Sequence, residues 1–472
     1  MYKRTIFSIF FLLLFIKSSY GQTCATMNIA PIADVPSVCN TMVLTMAHDN
    51  RGLPLLYVAN KEAGLVIYDV NQATTPQLLS QTSIFEWGGL DVMNLCQSGD
   101  YLFLALGNSF TNPQSAGIAI VNISNPASPV VTSFYTVPGS STGSGIVAVE
   151  GDYAYLGAMR SGLIVFDISD KSSIVQRSQF LPDINYPYPN PPNPNFYNAR
   201  GLEVKNGIVY LCFDAGGLRV VNCVNPLLPV ETGHFANPLL YFPFNLTRAY
   251  NNIVLDNNIA YIAVDYCGVE AIDISDTSAL NLIGWWNPQN CPNNNWFTSP
   301  VHSNEIRINK ACSQLYVSTG KSEFYVLDIS NPSLPDSCNY FGDVSDTAAT
   351  WGVNYYDNFI YLAYTCTFGI PFFANYTGLK TLSFNSCTVG IDNPFSRSTL
   401  AFPNPAHSNF RLNLSEANEK MPLVKLSDLF GRVLTYIKPE STVYDISSLP
   451  QGAYFLEWDI DGHAYFTKLI KQ

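Results

Sequence analysis

The sequence predicts an all-β fold, a seven-bladed β-propeller followed by a small Ig-like β-sandwich. Three observations carry that prediction. The chain has 28 Tyr, 29 Phe, 30 Gly and 30 Pro and no long Ala/Glu/Lys-rich segment, a mix of strand formers and turn formers. One short phrase recurs seven times at a spacing of about 50 residues, the mark of a repeat architecture. The texture then changes after Asp392.

The phrase is a Gly or small position, four or five β-formers, Asp or Asn, an apolar residue and a polar turn. It stands as Gly64-Leu-Val-Ile-Tyr-Asp-Val70, Gly117-Ile-Ala-Ile-Val-Asn-Ile123, Gly162-Leu-Ile-Val-Phe-Asp-Ile168 and Gly217-Leu-Arg-Val-Val-Asn-Cys223. Three more copies are Gly268-Val-Glu-Ala-Ile-Asp-Ile274, Glu323-Phe-Tyr-Val-Leu-Asp-Ile329 and the degenerate Gly378-Leu-Lys-Thr-Leu-Ser-Phe384. Each unit has room for four strands, read in the third as Gly145–Val149, Tyr153–Ala158, Leu163–Ile168 and Ser173–Phe180. Glu150-Gly-Asp152 supplies the positive-φ residue that a tight hairpin wants. Pro after the phrase, as in Asn125-Pro126, Asn225-Pro226 and Asn331-Pro332, pins a turn toward an outer strand because Pro cannot donate to a ladder. A four-stranded sheet of this size cannot bury both faces alone, whereas seven packed radially around an axis can. A β-solenoid would repeat every 20–30 residues or so.

The strings Leu-Val-Ile-Tyr-Asp-Val, Leu-Ile-Val-Phe-Asp-Ile-Ser and Val-Leu-Asp-Ile-Ser-Asn-Pro resemble the LVIVD repeat family of secreted bacterial propellers, over roughly residues 41–387. That resemblance implies a fold and a surface location. It brings no assigned reaction and no catalytic residues.

The seventh unit shows strands near Trp351–Tyr355, Phe359–Tyr364 and Leu379–Phe384, with no fourth strand before Pro394. An N-terminal strand within Thr23–Ile32 is expected to complete it and close the ring. Eleven cysteines in a chain bound for an oxidising compartment point to disulfides. Side-matching offers Cys24 with Cys387, Cys267 with Cys291, and Cys312 with Cys338, though spacing alone does not decide connectivity. No C-x-x-C pair is present, so a zinc cluster is not expected.

From 393 onward, Phe402-Pro-Asn-Pro405, Leu426-Ser-Asp-Leu-Phe-Gly-Arg-Val-Leu434, Leu449-Pro-Gln-Gly-Ala-Tyr454 and Lys468-Leu-Ile-Lys471 alternate short strands with turns, enough for a small β-sandwich. Together they resemble the type A C-terminal sorting domain of the type IX secretion system of Bacteroidetes. The resemblance implies export across the outer membrane, contact with that secretion machinery through residues 394–472, and removal of the module with the cargo released or surface-attached.

The N-terminus agrees. Lys3 and Arg4 precede an apolar run, Ile6 to Ile16, and a polar exit ending near Gln22, which reads as a secretory signal over residues 1–22. A lipid-anchored alternative would make Cys24 the first mature residue. The apolar run is too short to cross a bilayer as a helix, and no later stretch qualifies. The propeller is then expected over 23–390. A formal charge of −12 argues against binding a phosphate backbone, which needs a dense basic surface.

Ligands of propellers are expected at the channel mouth, among loops leading into each innermost strand and loops joining second and third strands. The first set supplies Glu86, Trp87, Arg200, Arg248, His302 and Trp351, and the second Arg160, Asp214, Asp265 and Lys321. Three long insertions, Leu181–Ala199, Phe235–Ala249 and Asn287–His302, carry aromatic residues including Tyr186, Tyr188, Phe196 and Trp296 among Asn and Pro. Such rings can stack on sugar faces while amides bond hydroxyls; equally, such loops can simply cover one another and the blade tops. His302 with Asp265 is the one base-and-orienter pair that catalysis could use. No His-Glu-x-x-His or phosphate-binding Gly loop occurs. No cofactor is called for, and calcium on turns such as Asp256-Asn-Asn258 lacks the acidic density of an EF-type loop. The expectation is a non-catalytic extracellular binding or adhesion propeller for a glycan or surface protein. Its rivals are a secreted hydrolase or lyase acting on an extracellular polymer, and a structural surface-layer component.

Overall fold

The structure is a computed structural model that describes residues 28–39, 42–109, 112–191, 193–240, 249–291, 299–368, 373–384, 401–412, 423–428, 432–438, 443–460 and 463–472. The chain divides after Cys387 into two compact units. The first contains seven four-stranded antiparallel sheets, one per repeat. In the third the strands are Ile146–Glu150, Tyr153–Gly157, Leu163–Asp167 and Val175–Phe180.

The recurring phrase is the third strand of each blade, and each of its letters has a physical cause. The terminal Asp or Asn folds its carboxylate or amide oxygen back onto the N–H two residues on, as in Asp69 to Asn71, Asp167 to Ser169 and Asp328 to Ser330, at 2.8–2.9 Å. That Asx turn stops the strand. The following apolar residue is buried and donates its N–H to the first hairpin turn, Ile168 to Asp152 O at 2.8 Å and Ile274 to Asn258 O at 2.8 Å. The leading Gly takes φ of +75° to +89° in the first, third, fourth and fifth blades. A Cβ there would overlap the carbonyl that ends the fourth strand, Phe235 O in the case of Gly217. In the sixth blade Glu323 occupies this position, at φ +58°.

Blades are stitched to their neighbours twice. Near the axis, a residue one or two places after the second strand adopts positive φ in six blades: Lys61, Gly107, Met159, Asp214, Asp265 and Gly320. The left-handed conformation turns each carbonyl toward the next blade, where it accepts the N–H of Val92, Ser144, Ala199, Tyr250, Ser303 and Thr350 respectively, at 2.6–3.1 Å. Four of the six lack glycine's freedom, so the strain is held by the packing. At the rim, Ser80, Ser133 and Ser178 on outer strands donate to Pro126 O, Lys171 O and Pro226 O of the following blade, at 2.6–2.7 Å. Gly233 and Gly284 stand at the same place in the next two blades, close against Thr277 O and Pro332 O.

The ring is closed by the N-terminal strand Ile29–Pro36, which pairs antiparallel with Gly378–Phe384 and completes the seventh sheet. The sequence places this strand at Thr23–Ile32; the observed one starts later because Ile29 meets Phe384, the last residue of its partner. Cys39, three residues beyond the strand, is disulfide-bonded to Cys366. The expected Cys24–Cys387 pair lies outside the described residues. Cys267 is joined to Cys291, Cys312 and Cys338 are each disulfide-bonded, and Cys96, Cys212 and Cys223 are free.

The second unit has a sheet of Ala401–Phe402, Asn409–Leu412 and Tyr444–Asp445, and another of Val433–Ile437, Val424–Ser427, Gly452–Ile460 and His463–Lys471. Phe410, Leu426, Tyr444, Leu456, Trp458 and Leu469 form their shared core. Its motifs are mutually dependent. Asn404 of Pro-Asn-Pro accepts from Ile470 N–H at 2.8 Å and donates to Lys468 O at 2.6 Å, tying the opening motif to the basic final strand. Asp428 caps its turn through Arg432 N–H and Nε at 2.9 and 3.0 Å.

Candidate functional site

The innermost strands run antiparallel to the second strands, so the loops leading into them emerge beside the loops joining second and third strands. Residues at these starts surround a cavity at one end of the channel, with about 590 Å³ of space between atoms, open solvent included. Every blade contributes: Thr45, Asn94, Ile146, Arg200, Asn252, Glu305 and Trp351 are among the lining residues, with Met93, Ser109, Ser144, Met159, Asn251 and Asn304 between them.

The charged groups at this mouth hold one another. Arg200 donates from Nη1 to Asn251 Oδ1 at 2.7 Å and its Nε lies 3.6 Å from Asp214 Oδ2. Asn198 Nδ2 donates to the same Asp214 oxygen at 2.7 Å. Asn251 Nδ2 donates to Asp265 Oδ1 at 3.0 Å and to Ser303 O at 2.8 Å. Asp265 also accepts the Ala249 N–H at 2.9 Å and lies 3.2 Å from His302 Nε2. Burial pushes the Asp214 carboxyl up to about 6, against the pull of Arg200 and with the push of Asp265. Burial also acts to raise Asp265, but the charge and hydrogen bond of His302, with Arg200 and the Ala249 N–H, outweigh it and hold Asp265 below its ordinary value. Asp214 and Asp265 are the same residues whose carbonyls bridge to the next blade, so the stitch sets where their carboxylates stand. Glu305 accepts from Thr45 Oγ1 at 2.7 Å and Arg307 Nη2 at 2.5 Å on one oxygen, and from Val353 N–H at 2.9 Å on the other.

The sequence candidates separate accordingly. Arg200, Asp214, Asp265 and His302 come together, and Trp351 lines the same cavity, its ring centroid 6.5 Å from that of His302. Lys321 is half-buried at the top of the sixth blade with no ion pair among the described residues. Arg160 is exposed and turned to Asn195 Oδ1 at 2.6 Å, away from the cavity lining. Trp87 corrects the expectation: it is fully buried in the core between the first two blades, its Nε1 donating to Leu90 O at 2.9 Å. Its place on a one-turn helix, Ile84–Trp87, rolls the ring inward and leaves Glu86 exposed. Arg248 and Trp296 lie outside the described residues.

The Leu181–Ala199 insertion departs from the sugar-stacking expectation. Arg219, buried in a third strand, donates to Gly216 O, Asp183 O and Tyr186 O at 2.8–3.0 Å and lies 4.9 Å from the Tyr186 ring. Tyr186 and Tyr188 pack against the core between the fourth and fifth blades, and Tyr197 is buried, leaving Phe196 exposed. One blade on, Glu270 sits at Arg219's position, fully buried, accepting from Asn237 Nδ2 at 2.6 Å and Tyr250 OH at 2.7 Å. Sequence reasoning missed both anchors and the asparagines of the inner strands. The visible signal was a charged residue in the third place of an otherwise apolar phrase.

Fold and channel define a seven-bladed β-propeller with an appended small β module. Residues 55–82, 89–137, 144–180, 248–287 and 314–338 match the LVIVD repeat, and 400–472 match a secretion system C-terminal sorting domain. The chain is an LVIVD-repeat propeller carrying a type IX secretion system sorting domain, which marks it as a secreted or cell-surface protein. No curated protein resembles it significantly. Among solved structures it is similar to the WD40 repeats of RRP9, with 11% identity, TM-score 0.52, and 76% of this chain and 100% of that chain covered. It is also similar to the β-propeller domain of Cps50 (Swd1) of Myceliophteria thermophila, with 9% identity, TM-score 0.51, and 75% and 99% covered. At such identities the likeness speaks for the fold alone. No helix among the described residues is long and apolar enough to cross a membrane.

Proposed function

We propose that this protein is a non-catalytic binding or adhesion propeller, delivered outside the cell by its C-terminal module, that engages a glycan or a surface protein through the channel mouth. The carrying observation is the cavity itself, where starts of inner strands from all seven blades converge on one polar-rimmed space with an apolar wall that includes Trp351. Concave, mostly preformed sites with a few placed polar groups are the usual ligand seats of such folds. A hydrolase or lyase reading would need a base that substrate can reach. His302 is buried, with Nε2 on Asp265 and Nδ1 enclosed, and it does not line the cavity. In this reading residues 1–22 are removed on export, 23–390 form the mature propeller, and 394–472 serve the secretion machinery and are then cleaved.

The test is a glycan array and a pull-down from cell-surface extracts with the purified full chain and its Trp351→Ala variant. Binding that Trp351→Ala weakens at least tenfold supports the mouth as the site. A ligand whose affinity is the same for both proteins would place recognition elsewhere.

A further inference from the structure

Inside the cavity, three side-chain amides keep polar atoms that internal bonding does not use. Asn94 Oδ1 accepts the Val147 N–H at 3.4 Å and Asn252 Oδ1 accepts the Ile306 N–H at 3.2 Å. Those bonds fix the amide orientation, since an amide nitrogen could not accept there. Each Nδ2 therefore turns the other way, with no hydrogen-bond partner among the described residues, from two blades on different sides of the channel. Asn304, 95% buried, donates from Nδ2 to Thr350 O at 2.9 Å, while its Oδ1 has no hydrogen-bond partner. A buried acceptor left open beside a cavity calls for a donor from whatever fills it.

The charged groups are paired with one another. Among the described residues Arg200 is the one cation lining the cavity, and it faces two carboxylates, Asp214 and Asp265, through its own bonds and through Asn251. Both oxygens of Glu305 are occupied. An anionic ligand would meet a surplus of negative charge around Arg200, on a chain of net charge −12. A cationic ligand would find the one carboxylate among the described lining residues, Glu305, already bonded at both oxygens. Hydroxyl groups, which both donate and accept, match two amide donors and one open acceptor.

We infer that the channel mouth is a seat for a neutral sugar, a single uncharged pyranose at a chain end, whose hydroxyls bond Asn94, Asn252 and Asn304. This rests on the mouth being the binding site. Met93, Ile146 and Met159 supply apolar contact for the C–H faces of the ring.

The experiment is calorimetry or saturation-transfer NMR on the full chain with matched series: galactose against galacturonate and galactosamine, and glucose, mannose and their uronates. Two variants accompany it. Asn304→Ala removes the open acceptor. Asn94→Asp keeps the oxygen that accepts the Val147 N–H and replaces the free amide donor with a carboxylate oxygen, so it should fold as the parent does. The expected result is binding of a neutral member, weakened about tenfold or more by either variant, as befits one lost hydrogen bond in a water-poor site. Preference for a uronate or an amino sugar, with binding still lost in the variants, overturns the neutral class and leaves the mouth standing. Neutral-sugar binding that neither variant changes overturns this seat. Absence of binding by every sugar, with the variants equal to the parent, overturns the sugar seat, and the mouth reading with it if the protein-extract pull-down also fails.

Discussion

Glu270→Gln isolates a buried acid and gives a pH dependence whose sign and size follow from its surroundings. Glu270 is fully enclosed between the fourth and fifth blades. Burial pushes its carboxyl up to about 7 from an ordinary 4.5, although hydrogen bonds from Tyr250 OH and Asn237 Nδ2 act the other way. Because the folded value is the higher one, the group favours folding fully below about pH 4.5, and that contribution is lost as pH rises through 7. Each pH unit of the interval is worth about 1.4 kcal/mol, so ionising Glu270 in the folded state costs about 3 kcal/mol relative to the unfolded chain. Glutamine has nearly the same shape and imitates the protonated acid. Urea denaturation of both proteins between pH 5 and 8, followed by fluorescence, reads the difference. The variant should gain on the parent as pH rises, from near parity at pH 5 to about 2–3 kcal/mol at pH 8. A difference that stays constant across this range would contradict a Glu270 carboxyl raised to about 7 by burial.

Two further outcomes follow from the ends of the chain. Deleting residues 394–472 should leave the propeller folded but retained in the periplasm, as cell fractionation would show; normal release of the truncated protein would contradict the sorting assignment. Cys366→Ser removes a cross-link spanning 327 residues at the seam of the ring. It should lower stability by about 2–5 kcal/mol, with the earliest loss of hydrogen-exchange protection in Ile29–Pro36.

The third strand of each blade was legible because its conformational demands leave residue-type marks: Gly where φ is positive, Asp or Asn where an Asx turn ends the strand, Pro where the chain swings to the outer strand. The inner stitch has the same demand for positive φ but carries Lys61, Met159, Asp214 and Asp265 as well as glycine, so nothing in the residue types announces it. The closing strand was predictable in kind from the missing fourth strand of the seventh unit, yet its register depends on pairing with Gly378–Phe384 across the whole ring. Of the candidate site, Arg200, Asp214, Asp265 and His302 were found from their loop positions. Trp87 was misread because one 3-10 turn decides whether a ring faces solvent or core. Asn94, Asn252 and Asn304 were overlooked because asparagine is abundant in this chain, and only the neighbouring blade's backbone groups single out which amides are fixed.

Recognition at the channel mouth is tested by hydrogen exchange of the full chain with and without a bound ligand. Added protection should appear at the starts of the inner strands Val92–Ser98, Tyr250–Asp256 and Ile306–Asn309 and fade toward the outer strands. Protection confined to outer strands such as Val130–Thr136 and Val175–Phe180, with the mouth unchanged, would contradict it.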